Sequence, residues 1–269
     1  MSDLSHPTLG WAVRDTVAML GRQLTRLRHA PALFTITLVA PLMMLVLFGY
    51  VFGSAIQVPG SGDYREYLVP GLFVSIAAGG ILTGMIGTAQ DMQRGVMDRF
   101  RTLPMSRVAV PLGQAASEVL IAAVGLVPLA LLGLAVGWRV RGGVGAALGA
   151  FALLLLFRLA TAWIGQYLGM VVGKEEAAGQ LSSLTFSLPM VSNTYVPTDG
   201  MPGWLRFVAD WNPISAVVAA CRDLFGNAAA DPDASWPLAH PVAASIGWSL
   251  LLVAVFMPLT VRRYTRGGR

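Results

Sequence analysis

The amino-acid sequence predicts an all-α polytopic membrane protein with six transmembrane helices and an interfacial helix ahead of them. Hydrophobic residues make up 55% of the 269 residues and charged residues only 12%, and the mean hydropathy is +0.64. Soluble domains carry about 25% charged residues, so this chain has too few charges to coat a soluble globule. Several of its apolar runs reach the roughly 20 residues that cross a bilayer.

The first element is residues 11–29, WAVRDTVAMLGRQLTRLRH, which predict an amphipathic helix. Apolar residues recur every three or four positions and form one stripe, and the arginines lie off it. A helix of this kind lies in a membrane interface, or alternatively packs as a solvated helix on another domain. A membrane span follows after only two residues, which favours the interface. We therefore divide the chain into an N-terminal segment, residues 1–30, and a transmembrane domain, residues 31–269.

Apolar runs separated by short polar connections define the spans. The fifth run is full of serine and threonine and rises only about 22 Å, which is short for a crossing of about 30 Å. The chain after it is therefore predicted to be a re-entrant extracellular segment before the last helix. The runs cover residues 32–53, 67–90, 108–136, 144–172, 177–192 and 242–261.

The distribution of basic residues orients the chain. Six spans place both termini on one side of the membrane, and cytoplasmic segments carry an excess of arginine and lysine. If the termini are cytoplasmic, 13 of the 19 basic residues lie in cytoplasmic segments, five lie outside and Arg158 lies within a span. This excess predicts cytoplasmic termini. It also explains the net charge of +5 without nucleic acid as a partner.

Glu118 and Arg158 are the charged residues within predicted spans, and such residues are functional candidates by default. At 1.5 Å per residue, Glu118 lies about 16 Å and Arg158 about 22 Å from the cytoplasmic ends of their helices. A salt bridge between adjacent helices is therefore possible. It would be a structural pair that fixes helix register, or part of transport chemistry; a proton relay, however, usually needs several carboxylates and histidines.

Hydroxyl and aromatic side chains in and after the fifth run are candidates for a path taken by an amphipathic substrate. Irregular backbone at membrane depth must be buried in protein or line a cavity. The alternative is ordinary helix packing. The candidates are Ser182, Ser183, Thr185, Ser187, Asn193, Tyr195 and Trp204.

Glycines spaced four apart recur in the spans, with Gly165, Gly169 and Gly173 as the longest series. Such faces let helices approach closely. The spacing is common in membrane helices, so it predicts tight packing and is compatible with a dimer without indicating a function.

The sequence lacks motifs for catalysis, nucleotide binding or metal binding. Lys174 follows Gly173, but Glu175 comes next and position 168 is leucine, so the phosphate-binding G-x-x-x-x-G-K-[ST] motif is absent. The one cysteine, Cys221, is expected to be a packing residue, and the three histidines show no ligand spacing. We predict no catalytic residue, no metal and no cofactor bound by this chain.

Two stretches resemble the permease subunits of type-2 ABC exporters, in particular the daunorubicin-resistance branch. RGVMDRFRTLPMSR, residues 94–107, is similar to the family's R-G-T-x-E-R-L-R-x-T-P-x-S-R segment. SNTYVPTDGMPGWLRFVADWNPISAVVAACRDLFGN, residues 192–227, is similar to S-N-T-F-V-P-x-x-x-M-P-x-W-L followed by N-P-x-S and R-x-L. The order of elements agrees over nearly the whole chain.

The resemblance implies an exporter permease in the bacterial plasma membrane, acting on hydrophobic drug-like or lipid-like compounds. The working unit would be two permease chains, here a homodimer, with two copies of a separate cytoplasmic ATPase subunit that binds ATP and magnesium. Residues 94–107 would then form the coupling helix that docks into the ATPase. The coupling residues carried over by position are Arg94, Gly95, Asp98, Arg99, Arg101, Pro104, Ser106 and Arg107.

Three alternatives differ in class or substrate. A permease for polysaccharides or lipid-linked glycans would share the architecture. A secondary transporter would work without an ATPase and would depend on Glu118. A membrane-embedded lipid-modifying enzyme would need clustered aspartate or histidine at the interface, which the sequence does not contain.

Overall fold

The computed structural model describes residues 39, 41–52, 63–97, 99, 108–227 and 234–266. The predicted interfacial helix, residues 11–29, and most of residues 94–107 lie outside the described residues. The described chain is helical and contains no strand. Its helices are α1 (Pro41–Val51), α2 (Tyr64–Ala78), α3 (Gly80–Gln93), α4 (Ala109–Val136), α5 (Gly143–Val172), α6 (Glu175–Met190), α7 (Gly203–Asp210), α8 (Pro213–Phe225), α9 (Trp236–Ala239) and α10 (Pro241–Arg266).

Within the described part of the chain, four stretches of helix are long and apolar enough to cross a membrane. They are α2 and α3 taken together, α4, α5 and α10. These four correspond to the second, third, fourth and sixth predicted spans. The first predicted span is represented by the shorter α1, and the fifth by the 16-residue α6. An all-helical membrane fold is thus confirmed, whereas the count of six spans and the re-entrant segment stay predictions.

The α2–α3 span, α5 and α10 run in one direction between the two ends of the bundle, and α4 runs in the opposite direction. We call the end at residues 137–142, between α4 and α5, the turn end. The opposite end, where α3 finishes at Gln93 and α4 begins at Ala109, is the loop end. The α2–α3 span, α4 and α5 each connect one end to the other, and α10 finishes at the loop end, where Arg263 Nε donates to the carbonyl of Met170, 3.1 Å away.

Local signals in the sequence explain several helix ends. Asp63 is the N-cap of α2, and its carboxylate accepts a hydrogen bond from the backbone N–H two residues later. Asn212 caps α8 in the same way, with Pro213 in the first turn. Gly226 ends α8 with a φ of 75°, in the left-handed region that favours glycine.

The closest helix contact joins α3 and α5 through glycines. A Cβ on Gly165 would lie 2.4 Å from the carbonyl oxygen of Ile81, and one on Gly169 would lie 2.5 Å from that of Met85. Gly80 on α3 lies equally close to α5. The predicted close approach is therefore made within one chain, by Gly165 and Gly169.

Aromatic packing fixes the turn end of the bundle. The rings of Phe73, Trp138, Phe151 and Phe225 meet mostly edge to face, with centroids 5.1 to 5.8 Å apart. These contacts join α2, α5 and α8 to the α4–α5 turn and bury the four rings together. The Trp138 indole N–H also donates to Asn227 Oδ1, 3.0 Å away. The end of α8 is therefore held firmly against the spans.

Candidate functional site

Arg158 and Glu118 meet in the interior, at the break between α2 and α3. The exposed fractions are 4% for Arg158 and 9% for Glu118. Arg158 Nη2 contacts a carboxylate oxygen of Glu118 and also donates to Thr83 Oγ1, 3.0 Å away. Arg158 Nη1 donates to the carbonyl oxygen of Ile76 at 2.9 Å. One guanidinium thus connects α2, α3, α4 and α5.

The break itself lies at Gly79, between the last residue of α2 and the first of α3. Arg158 satisfies a carbonyl in the last turn of α2, and Thr161 Oγ1 donates to the carbonyl of Ala77 at 2.8 Å. Helix ends leave carbonyl groups without intrahelical partners, and burying such groups unpaired is costly. Two polar side chains of α5 therefore make the break possible inside an apolar bundle.

Thr83 completes the site and was not identified from the sequence. Its hydroxyl donates to the carboxylate of Glu118 at 2.7 Å. The carboxylate therefore has two partners, the Arg158 guanidinium and this hydroxyl. A threonine in an apolar helix carries no sequence signal that separates such a role from ordinary packing.

Arg222 forms a second buried cationic site near the turn end, with an exposed fraction of 5%. Its guanidinium donates to the carbonyl oxygens of Tyr67 at 3.0 Å, Asn193 at 2.9 Å and Thr194 at 3.3 Å. The guanidinium carbon also lies 3.4 Å from the centroid of the Tyr67 ring, a cation–π contact. Arg222 is one of the five basic residues that the charge count assigns to outer segments, and that count does not predict this contact.

The turn after α6 packs closely against α2 at Gly71. A Cβ on Gly71 would lie 2.4 Å from the carbonyl oxygen of Thr194, so only glycine fits there. The Tyr64 hydroxyl donates to the carbonyl of Tyr195 at 2.8 Å. Backbone carbonyl groups of the turn after α6 thus accept hydrogen bonds from Tyr64 of α2 and from Arg222 of α8. These bonds join both helices to this turn.

An apolar cavity of about 130 Å³ lies between α1, α2, α3 and α6, beside Tyr195. Hydrocarbon side chains such as Leu72 form most of its wall. Three hydroxyl groups interrupt this wall, those of Ser75, Thr185 and Tyr195. Two of them, on Ser75 and Tyr195, lie 3.3 Å apart and hydrogen-bond to each other.

The predicted substrate-path residues separate into groups. Thr185 and Tyr195 line the cavity. Asn193 is buried, and its carbonyl accepts from Arg222. Ser187 and Trp204 are exposed on α6 and α7 and are not among the described residues of the cavity wall. Ser182 and Ser183 belong to α6, but their side chains lie outside the described part.

The described part of the predicted coupling segment begins where α3 ends. Arg94 is the exposed C-cap of α3, and Gly95 has a φ of 64°, which explains the glycine in this position. Met97 is buried, with 3% exposed, and Arg99 is exposed. The other coupling residues lie outside the described residues: Asp98, Arg101, Pro104, Ser106 and Arg107.

The order of these elements and the polar motifs agree with a known family of membrane proteins. The model of that family, described as ABC-2 type transporter, matches residues 14–225. The chain belongs to the ABC-2 type transporter family. It is therefore a membrane transport subunit, and the resemblance seen in residues 94–107 and 192–227 is confirmed at the level of the family.

Individual relatives of this ABC-2 protein are permeases by name. The chain is 33% identical over 262 residues to the daunorubicin resistance ABC transporter permease protein DrrB1 of Streptomyces coeruleorubidus, covering 96% of this chain and 89% of the relative. It is 22% identical over 261 residues to the putative transport permease ycf38 of Cyanophora paradoxa, covering 94% and 88%. The corresponding Porphyra purpurea protein is 22% identical over 220 residues, covering 80% and 75%.

Proposed function

We propose that the chain is the permease subunit of an ATP-driven exporter that moves hydrophobic drug-like or lipid-like compounds out of the cell. The observation that carries the proposal is the similarity to DrrB1 along almost the whole chain, since that relative is named for daunorubicin resistance. Daunorubicin is accordingly a suitable first substrate to test. The chain's own sequence contains no phosphate-binding loop, so ATP would be bound and hydrolysed by a separate subunit.

The cavity beside Tyr195 supports an apolar substrate. Its walls are hydrocarbon, and two of its hydroxyl groups already satisfy each other. A glycan would need many more free donors and acceptors than this cavity offers. An apolar compound would lose little on entering, because few polar groups would have to give up hydrogen bonds.

The size of the cavity limits what this conformation holds. Pockets for drug-sized ligands usually have about 300 to 1,000 Å³, and an apolar cavity of about 150 Å³ binds benzene. At about 130 Å³, the cavity fits one ring or a short acyl segment. We propose that it is one part of the substrate path and enlarges when the spans rearrange.

The network around Glu118 argues against a secondary transporter. A carboxylate that carries protons must be reachable and must change its protonation state during transport. The Glu118 carboxylate is buried and engaged by Arg158 and Thr83. We therefore assign it a structural function and place the energy source in a partner ATPase.

We propose that residues 94–107 dock into this ATPase and that two permease chains, as a homodimer, work with two ATPase subunits. The termini and residues 94–107 would face the cytoplasm of a bacterium, in agreement with the excess of arginine in those segments. ATP-driven closure of the ATPase pair would pull on the docked segments and shift the spans between inward-open and outward-open packings.

The decisive experiment removes one acidic and one basic residue from the docking segment, Asp98→Ala with Arg101→Ala. Each ABC ATPase subunit encoded in the source genome is co-expressed with the chain, and co-purification and ATPase stimulation are measured. ATP-dependent uptake of daunorubicin into inside-out vesicles is measured with the same complexes. We expect the double variant to lose co-purification and uptake together.

The matched control is Arg139→Ala with Asp223→Ala, which also removes one base and one acid. Both residues are exposed near the turn end, away from the docking segment. This control should bind the ATPase like the wild type. If no ATPase binds the wild-type chain, or if the Asp98 and Arg101 variant couples normally, the proposed function is wrong.

A further inference from the structure

The last turn of α10 packs near both ends of the predicted docking segment, residues 94–107. We call the chain around Met97 and around Val110 the two roots of this segment. Tyr264 has an exposed fraction of 2% and lies in one hydrophobic cluster with Met97, Val110 and Met170, against which Met92 also packs. Met97 precedes residues 98–107, and Val110 follows them. Tyr264 therefore shares one apolar cluster with Met97, near the start of the docking segment, and with Val110, just after its end.

This cluster is separate from the main core of the bundle. The main core lies toward the turn end and includes residues such as Phe73 and Trp138, whereas the Tyr264 cluster stands at the loop end. Arg263, the residue before Tyr264, donates through Nε to the carbonyl of Met170 at 3.1 Å. The turn is thus attached to the end of α5 by a hydrogen bond and to the segment roots by apolar contacts.

Charges surround this contact on its exposed side. Arg262 and Arg266 flank Tyr264 and are exposed, as are Arg94 and Arg99 on the segment side. Cationic side chains at a helix C-terminus interact favourably with the helix dipole. They also make this face suited to a partner with an acidic surface. The apolar cluster beneath holds the two cationic elements together.

We infer that Tyr264 is a positioning residue, and that the last turn of α10 braces the docking segment. The inference rests on the proposed function, because it concerns how force on that segment reaches the spans. A segment joined to the bundle only through α3 and α4 could tilt without moving the other helices. Because Tyr264 shares a cluster with Met97 and Val110, displacement of the segment also displaces α10 and, through Arg263, the end of α5.

The chain offers a matched control for the Tyr264→Ala variant. Tyr167 on α5 packs against Phe256 on α10, with ring centroids 5.8 Å apart. Tyr167→Ala removes the same ring from the same helix pair at another level. Met97→Ala removes the methionine that shares the cluster with Tyr264. It replaces Tyr264→Ala in the experiment if that variant is too unstable to purify.

The first measurement is hydrogen–deuterium exchange of the chain alone in lipid nanodiscs. We expect Tyr264→Ala to raise exchange in residues 92–97 and 108–112 by about tenfold, without change in residues 143–160. Met97→Ala should produce the same local pattern. Tyr167→Ala should leave exchange in both stretches within about twofold of the wild type.

The second measurement is stimulation of the partner ATPase by each variant. Tyr264→Ala is expected to reduce stimulation by at least about fivefold at saturating permease, whereas Tyr167→Ala should leave it unchanged. If the wild-type chain stimulates no ATPase, the proposed function is wrong. The exchange measurement still tests whether Tyr264 holds the docking segment against α10. If the wild type couples and Tyr264→Ala couples equally well, or if exchange at the roots is unchanged, the brace is wrong and the proposed function stands.

Discussion

Arg158 on α5 donates through Nη1 to the backbone carbonyl of Ile76, 2.9 Å away, where α2 ends inside the bundle. A carbonyl at the end of a buried helix has no intrahelical partner, and Arg158 supplies one. The same guanidinium neutralises Glu118. Charge balance and closure of the helix break are therefore achieved by one side chain, so that losing it affects both.

We predict that the losses of stability caused by Glu118→Gln and Arg158→Gln are not additive. The double variant should lose less stability than the sum of the two single variants. Removing one partner leaves the other buried and unpaired, which typically costs about 3–5 kcal/mol. The double change removes both charges and should cost clearly less than the sum. Thermal unfolding of the purified protein, as a double-mutant cycle, measures the coupling.

The control for this cycle is the ion pair of Glu66 and Arg141 at the turn end. Its atoms are 2.7 Å apart, but the Arg141 side chain is 64% exposed. The Glu66 side chain is only 11% exposed, but water reaches Arg141 and screens the pair, so we expect a coupling of about 0–1 kcal/mol. Changing both residues to glutamine should therefore alter stability little. Additive losses in the Glu118 and Arg158 cycle would show that the two residues do not stabilise each other.

Gly165→Ala should destabilise the bundle, whereas Gly145→Ala on the same helix should not. The new methyl group on residue 165 would lie 2.4 Å from the carbonyl of Ile81, and such overpacking costs about 1–3 kcal/mol. A methyl group on residue 145 meets nothing within 4 Å. Alanine gains up to about 1 kcal/mol of helix propensity at both sites, so the difference isolates the close approach. Equal unfolding temperatures of the two variants would contradict it.

Arg222→Lys is expected to destabilise the protein on the order of 3 kcal/mol, although the charge is kept. A lysine ammonium cannot reach the carbonyls of Tyr67 and Asn193 together while stacking on the Tyr67 ring. Arg206→Lys is the control, because Arg206 is one-third exposed and lysine keeps the charge beside its partners Asp199 and Asp210, so the loss should be less than about 1 kcal/mol. Thermal unfolding compares the two. A loss from Arg222→Lys no larger than that from Arg206→Lys would refute the prediction.

How much the sequence could predict differs from one feature to another. Hydropathy located the long spans, because burial in lipid demands uninterrupted apolar runs. Helical rise along two neighbouring spans was enough to bring Glu118 and Arg158 to compatible depths. Glycine spacing predicted a close helix contact, but spacing defines a face and not its partner. Only the structure identifies α3 as the helix that Gly165 meets.

The features that escaped prediction depend on contacts distant in sequence. Arg222 looked like a loop cation, since its partners Tyr67 and Asn193 are 155 and 29 residues away. The break at Gly79 has no proline to mark it and is made possible by Arg158, a residue of another helix. Tyr264 stood in a basic tail, where nothing in the sequence indicates that it packs against Met97.

Cys221 should resist thiol reagents in the folded protein at any ordinary pH. Burial raises the pKa of its thiol to about 12, and the thiolate is the reactive form. At any pH between about 7 and 9 an exposed cysteine should therefore react with maleimide far faster than Cys221, whose thiol stays almost wholly protonated over this range. The exposed control is Asp223→Cys, on the same helix. Mass spectrometry counts the labels, and rapid labelling of native Cys221 would show that α8 is less tightly packed than described.

Filling the cavity beside Tyr195 should block transport without disturbing assembly. Ala78 is 8% exposed and lies in the cavity wall at the end of α2, so the ring of Ala78→Phe would occupy the space. We expect at least a tenfold loss of daunorubicin uptake, equivalent to about 1.4 kcal/mol. Co-purification with the ATPase should stay normal.

The same substitution on the outside of the bundle controls for bulk, because Ala254 is exposed on α10 and Ala254→Phe adds a ring there.

Tyr195→Phe tests whether the substrate is recognised by a hydrogen bond in the cavity. It removes the hydroxyl that pairs with Ser75 but adds no volume, and an apolar substrate should tolerate it within about threefold. Blocked uptake by Ala78→Phe alone supports the cavity as part of the path. If Ala254→Phe blocks uptake equally, the effect of Ala78→Phe is not specific to the cavity. If Tyr195→Phe abolishes uptake, the substrate is recognised by hydrogen bonding rather than by apolar contact.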